Sequence, residues 1–172
     1  MARKLRNIEL NRLSVDEFIH SKKNNITLIA DNIRSAHNIG SLFRTADAFL
    51  IEQIILIGIS ATPPQKDILK AALGAEKTVD WLYFKTQNEA IEYLKSKEIK
   101  IISVEQTSES KMITDWQWND ENIALVMGNE IDGVSEEFIE ASDTILEIPQ
   151  YGTKHSFNVS VSAGIVLWEL LR

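Results

Sequence analysis

The chain contains no cysteine. That excludes disulfides, thiolate nucleophiles and cysteine-ligated zinc or iron–sulfur centres. Histidine is scarce too: His20, His37 and His155, with no HExxH spacing or tight His/Asp cluster, argue against a catalytic metal. Apolar runs are short and broken by Glu, Gln or Asp, so none reaches the ~20 residues of a membrane span. The opening Met1-Ala-Arg-Lys-Leu-Arg-Asn7 lacks the apolar core of a secretory signal, and a cytoplasmic protein is expected. Basic charge is also in short supply. The formal net charge is −7 over 172 residues, a mild argument against a nucleic-acid partner.

The charge is unevenly spread. Arg3, Lys4, Arg6, Arg12, Lys22 and Lys23 stand in the first 23 residues against Glu9, Asp16 and Glu17, whereas residues 105–147 carry twelve acidic side chains and only Lys111. The acidic run reads as a solvated flank. The basic segment reads equally well as a solvated arm or as a phosphate-contacting arm. With 44% hydrophobic and 25% charged residues, the length suits one well-filled core. The expected organisation is a basic N-terminal extension over 1–24 and one domain over 25–172.

Hydrophobic periodicity predicts alternating strands and helices. Ser14 and Glu17 suggest a capping box opening a short helix over 16–22. Strands are expected at 26–30, 53–58, 81–84, 100–104, 123–127 and 144–148. Helices are expected at 38–49, 66–73, 88–97, 135–141 and 158–171. A long polar loop is expected over 105–121, with Trp116 and Trp118 as packing anchors. This order implies an α/β fold: a mostly parallel sheet flanked by helices, with right-handed crossovers.

Three separated segments join strands to glycines, small polar residues or helix starts, where α/β proteins place ligand-binding backbone. In Asn38-Ile-Gly-Ser-Leu-Phe-Arg44, Ile39, Leu42, Phe43 and Ala46 form the core stripe. Arg44 projects away from it, beside Gly40, Ser41 and Ala48. It is either a surface cation paired with Asp47 or a phosphate-binding fork with room for a second chain. Asn38 is expected to cap its helix, with a functional amide as the second reading. In Gly128-Asn129-Glu130-Ile-Asp-Gly133-Val134, the glycine spacing resembles a P-loop, but Val134 stands where the lysine belongs, and GxGxxG is absent. What remains is a glycine that lets a ligand lie against bare backbone. Glu130 either orients that loop or meets a cationic ligand group. Ile148-Pro149 ends a strand, and the following loop delivers Ser156, Phe157 and Asn158 to a helix N-terminus suited to an anion or to simple capping. Ser160, Ala163 and Gly164 form a small-residue strip fit for close helix packing, with a dimer as one outlet. His155 is a loop residue that also qualifies as a proton acceptor.

Asn38-Ile-Gly-Ser-Leu-Phe-Arg44-Thr-Ala, Leu125-Val126-Met-Gly-Asn-Glu130, and Ile148-Pro149 with Ser156-Phe-Asn-Val-Ser160 together resemble the three motifs of the SpoU/TrmH family. These are S-adenosylmethionine-dependent RNA ribose 2′-O-methyltransferases of the SPOUT superfamily. Ala72-Leu-Gly-Ala-Glu-Lys77 is similar to their connecting segment. The resemblance covers roughly residues 26 to 172. It implies a C-terminal trefoil knot, a cofactor bent within the knotted loops, and a homodimer with the first and last helices at the interface. It further implies cofactor contacts from Gly128, Ile148, Phe157, Val126 and Asn129, and a reaction site of Arg44, Asn38, Glu130, Ser156 and Asn158. Ile131 departs from the family's frequent glycine and Phe157 from its usual leucine. The implied function is methyl transfer from S-adenosylmethionine to a ribose 2′-hydroxyl of tRNA or rRNA. The alternative is a non-catalytic RNA-binding protein that keeps the fold. A small-molecule methyltransferase is a third reading.

Overall fold

Parallel pairing organises the whole molecule. The computed structural model describes residues 2–172, the side chain of Asn7 apart. In chain order the elements are α1 (Val15–His20), β1 (Asn24–Asp31), α2 (Ala36–Ala48), β2 (Ile51–Ile57), α3 (Lys66–Ala72), β3 (Asp80–Phe84), α4 (Gln87–Ser96), β4 (Lys100–Val104), β5 (Lys111–Met112), β6 (Ile123–Met127), α5 (Glu136–Ala141), β7 (Thr144–Glu147) and α6 (Val159–Leu171). The strands form one seven-stranded sheet in the order β3-β2-β1-β6-β4-β7-β5. Every strand pair among the described residues is parallel.

The strand sequences explain who sits at the centre. Parallel strands covered on both faces need continuous apolar residues, and β1 and β6 are buried along nearly their whole length. Side chains alternate between two cores. Leu28, Ala30, Ile54, Leu56, Leu125 and Met127 face α2, α3 and α6. Ile29, Ile55, Ile57, Ala124 and Val126 face α4 and α5. The edge strands β3 and β5 are largely exposed. Among the described residues no helix is long and apolar enough to cross a membrane.

The capping box at Ser14 and Glu17 forms as expected, with Ser14 N–H donating to Glu17 at 2.8 Å and Glu17 N–H to Ser14 Oγ at 3.3 Å. The Ser14 N–H donated to the carboxylate is the main cause that holds Glu17 below its ordinary pKa. Phe18 of α1 is buried in the larger core, and the Lys23 ammonium lies 3.9 Å above its ring centroid. The segment before β1 is therefore tied to the domain rather than wholly free.

Three expectations need correction. The stretch 105–121 is not simply a loop: β5 pairs with β7, and a short 3-10 turn follows at Ile113–Asp115. Its buried Ile113 and part-buried Trp116 and Trp118 anchor it on the core. Asn38 does not cap α2. Ser35 does, accepting from Asn38 N–H at 3.2 Å, so the helix starts two residues earlier. Gly40 is not open to a visiting chain either. It faces α3, and a Cβ there would lie 2.5 Å from the Ile68 carbonyl oxygen and 2.7 Å from Ala71 Cβ.

That contact makes a prediction. Alanine favours a helix over glycine by roughly 1 kcal/mol, yet Gly40→Ala should lower stability by about 1–3 kcal/mol through overpacking against α3. Urea unfolding midpoints measure it; a more stable variant would contradict the packing.

Candidate active site

β6 and β4 end in register, Met127 beside Val104, and β7 reaches the same level through Leu146. Loops leaving these carboxyl ends wall a cavity of about 480 Å³, within the roughly 300–1,000 Å³ of small-molecule sites. Met127, Ile148 and Val159 are among its apolar lining residues, and Glu105, Glu130 and Glu147 among its acidic ones.

The loop after β6 is folded by its own groups. Asn129 and Gly133 exchange backbone hydrogen bonds of 3.0 and 3.2 Å. The Asn129 side-chain oxygen accepts from Ile131 N–H and Asp132 N–H, both at 2.8 Å. Gly133 adopts φ +73, which suits glycine. Two carboxylates brace the exit. Glu105 accepts from Val134 N–H at 3.0 Å, and buried Asp31 accepts from Ser135 N–H at 2.8 Å.

Gly128 has a reason beside the one expected. A Cβ there would collide with the backbone of Gly133 and Val134. The loop's closure on itself already demands a glycine at this position of the cavity wall.

Asn38 is where the three segments meet. Its amide nitrogen donates to Glu130 Oε1 at 2.5 Å, and its amide oxygen accepts from Asn158 Nδ2 at 3.1 Å. Asn158 in turn caps α6, its oxygen accepting from Ser160 N–H at 3.0 Å and Ser160 Oγ at 2.6 Å. Ser156, the other candidate cap, lines the cavity with Phe157 and His155 instead. Both apolar departures lie at the cavity with much of their surface free, Ile131 at 75% and Phe157 at 42% exposure.

Of the other expected site residues, Gly128, Asn129, Glu130 and Ile148 line the cavity. Val126 does not; it points into the α4/α5 core and is fully buried. Arg44 does not line it either. It lies less than two helical turns past Asn38, rotated by about 240° around the axis, and is exposed. Its expected partner Asp47 instead accepts from Thr78 Oγ1 at 3.0 Å. Sequence reasoning overlooked Glu105 and Gln106, which line the cavity. Their signal was available: they directly follow a strand of a parallel sheet, at its ligand-binding end.

A doubly covered parallel sheet with a cavity walled by the loops after β4, β6 and β7 defines an α/β protein with its site at the carboxyl ends of its strands. The chain belongs to the SpoU rRNA Methylase family, whose model matches residues 25–168. It is 36% identical over 148 residues to the 23S rRNA (guanosine-2'-O-)-methyltransferase RlmB of Neisseria meningitidis, covering 86% of this chain and 58% of that protein. It is 29% identical over 160 residues to the tRNA (guanosine(18)-2'-O)-methyltransferase of Aquifex aeolicus, covering 91% and 73%. Among solved structures, the A. aeolicus TrmH/SpoU tRNA modifying enzyme superposes with a TM-score of 0.79 at 27% identity, over 90% of this chain and 78% of that one. The AdoMet-bound rRNA methyltransferase from Sinorhizobium meliloti superposes with a TM-score of 0.80 at 25% identity, over 92% and 60%. The chain thus spans about six-tenths of the Neisseria and Sinorhizobium relatives.

Asn38→Ala should cost about 1–3 kcal/mol, because it removes both side-chain hydrogen bonds of a buried amide, one of them to a carboxylate. Chemical denaturation measures the loss; unchanged stability would show that the bridge carries no net energy.

Proposed function

We propose that this protein transfers a methyl group from S-adenosylmethionine to a ribose 2′-hydroxyl of tRNA or rRNA. The observation that carries the reading is the Glu130–Asn38–Asn158 hydrogen-bond chain, which meets the cavity wall through Glu130. It joins all three family segments in one place, and relatives along most of the chain are named as RNA 2′-O-methyltransferases.

The cavity fits the cofactor. Gly128, Ile148 and Phe157 with the loop backbone would hold the adenosine end. Val126 would act only by fixing the strand beneath, and Asn129 by fixing the loop. When bound, the cofactor supplies an already activated methyl group, so the protein's task is alignment and charge stabilisation.

A guanidinium has no acceptor site and makes a poor base, so Arg44 is not assigned the proton. Its role is to clamp a phosphate of the RNA and stabilise the alkoxide developing at the 2′-oxygen. Asn38, Glu130, Ser156 and Asn158 hold the ribose in place. Because Arg44 lies outside the cavity of its own chain, the reading requires a homodimer in which one copy brings its Arg44 to the other's cavity. The outer face of α6 supports this: Val161 is 50% and Trp168 65% exposed, and a Cβ on Gly164 would meet nothing. The knotted threading that the family resemblance implies belongs to the same proposal. So does a role at RNA for the basic segment 1–24, which packs on the domain through Phe18 while Lys4, Arg6, Arg12 and Lys22 stay exposed. An RNA substrate sets the protein to work in the cytoplasm.

Arg44→Ala should reduce transfer of labelled methyl to RNA by roughly a hundredfold or more, while calorimetric cofactor affinity stays at the wild-type value. Equal loss of both would make Arg44 a cofactor or structural residue. Trp168→Glu should shift sedimentation from dimer to monomer and abolish transfer together; a monomeric wild-type protein would contradict the dimeric site.

A further inference from the structure

We infer that Glu105, outside all three motif segments, is a positioning residue that holds the β6 loop in its cofactor-binding shape. The inference rests on the reading that this cavity takes S-adenosylmethionine.

Glu105 directly follows β4, and its carboxylate turns towards the loop after β6. One oxygen accepts from its neighbour Gln106 N–H at 2.8 Å, and the other from Val134 N–H at 3.0 Å. The fit is close on both sides of the loop. A Cβ on Gly133 would strike that second oxygen, and a Cβ on Gly128 would strike the Gly133–Val134 peptide. Gly128, the Gly133–Val134 peptide and the Glu105 carboxylate therefore form one stack, each layer touching the next without side chains between. The two glycines allow the stack, and the charge-assisted hydrogen bond that Glu105 accepts from Val134 N–H closes it. Because Gly128, Gly133, Val134 and Glu105 all line the cavity, loosening the stack changes the wall that meets the ligand.

The β4 exit is itself secured. Glu105 N–H donates to the Leu146 carbonyl at 3.0 Å, and Ser110 Oγ donates to Glu147 at 2.7 Å. Glu105 thus transmits the rigidity of the β4–β7 edge to a loop that the sheet does not otherwise hold on that side.

The test uses the full chain with Glu105→Ala, Glu105→Gln and Glu105→Asp. Calorimetry measures affinity for S-adenosylmethionine and for its neutral product S-adenosylhomocysteine, and hydrogen exchange follows the Val134 amide. Glu105→Ala should weaken both ligands about equally, by roughly tenfold, and speed exchange at Val134. Glu105→Gln keeps a carbonyl oxygen for Val134 N–H and should recover most of the affinity. Glu105→Asp keeps the charge but falls short of Val134, and should behave like the alanine variant. Turnover should return towards wild type at saturating cofactor.

Unchanged affinity in Glu105→Ala with faster Val134 exchange would overturn the inference. Loss confined to the sulfonium ligand, with Glu105→Asp normal, would also overturn it, because the charge would then act on the ligand directly. A wild-type protein that binds neither ligand would instead overturn the cofactor reading, and the inference with it.

Discussion

One buried amide holds the candidate site together. Asn38 has a donor and an acceptor on the same side chain, and it spends the donor on Glu130 and the acceptor on Asn158. Few side chains could satisfy both neighbours. Aspartate would set a second carboxylate against Glu130, and an aliphatic residue would lose both hydrogen bonds and with them the link between the segments. The three segments are far apart in sequence, so this bridge is long-range information that the fold must deliver. Parallel pairing of β1 with β6 and packing of α2 against α6 deliver it.

Around that bridge the site is built mainly from backbone. The loop after β6 closes on itself through Asn129 and Gly133 and is braced by two carboxylates arriving from β1 and β4. Preorganised loops of this kind bind a small ligand without first losing conformational freedom. The price is sequence freedom at Gly128 and Gly133, whose missing side chains let peptide, peptide and carboxylate stack. The acidic flank that the sequence presents as a solvated face thus has a few members with fixed structural work: Glu105, Glu130 and Glu147 each accept a hydrogen bond at the cavity wall.

The alternating strands and helices were legible because the apolar runs at Ile26–Ala30 and Ile123–Met127 are continuous and the helix stripe of α2 is clean. Ends were less so. Ser35 was overlooked as a cap because Asn38 is an equally good capping residue, and only the tertiary pull of Glu130 shows why that amide was wanted elsewhere. β5 could not be read from Lys111 and Met112, since a two-residue edge strand carries no period. Gly40 was misread for the opposite reason: its neighbours on α2 look solvent-facing, but α3 arrives from a separate part of the chain. Arg44 was read correctly as pointing away from the core, and that same orientation carries it outside the cavity of its own chain.

The account therefore turns on whether one copy completes the other's site across a two-fold axis. The most direct measurement mixes two inactive variants, Arg44→Ala and Gly128→Val, in co-purified heterodimers and assays methyl transfer to RNA. Such a heterodimer keeps one cavity with an intact loop and an intact arginine on the opposite copy. The account predicts activity in the mixed dimer where neither parent has any. A mixed dimer as inactive as both parents would show that loop and arginine must share one chain, and would contradict it.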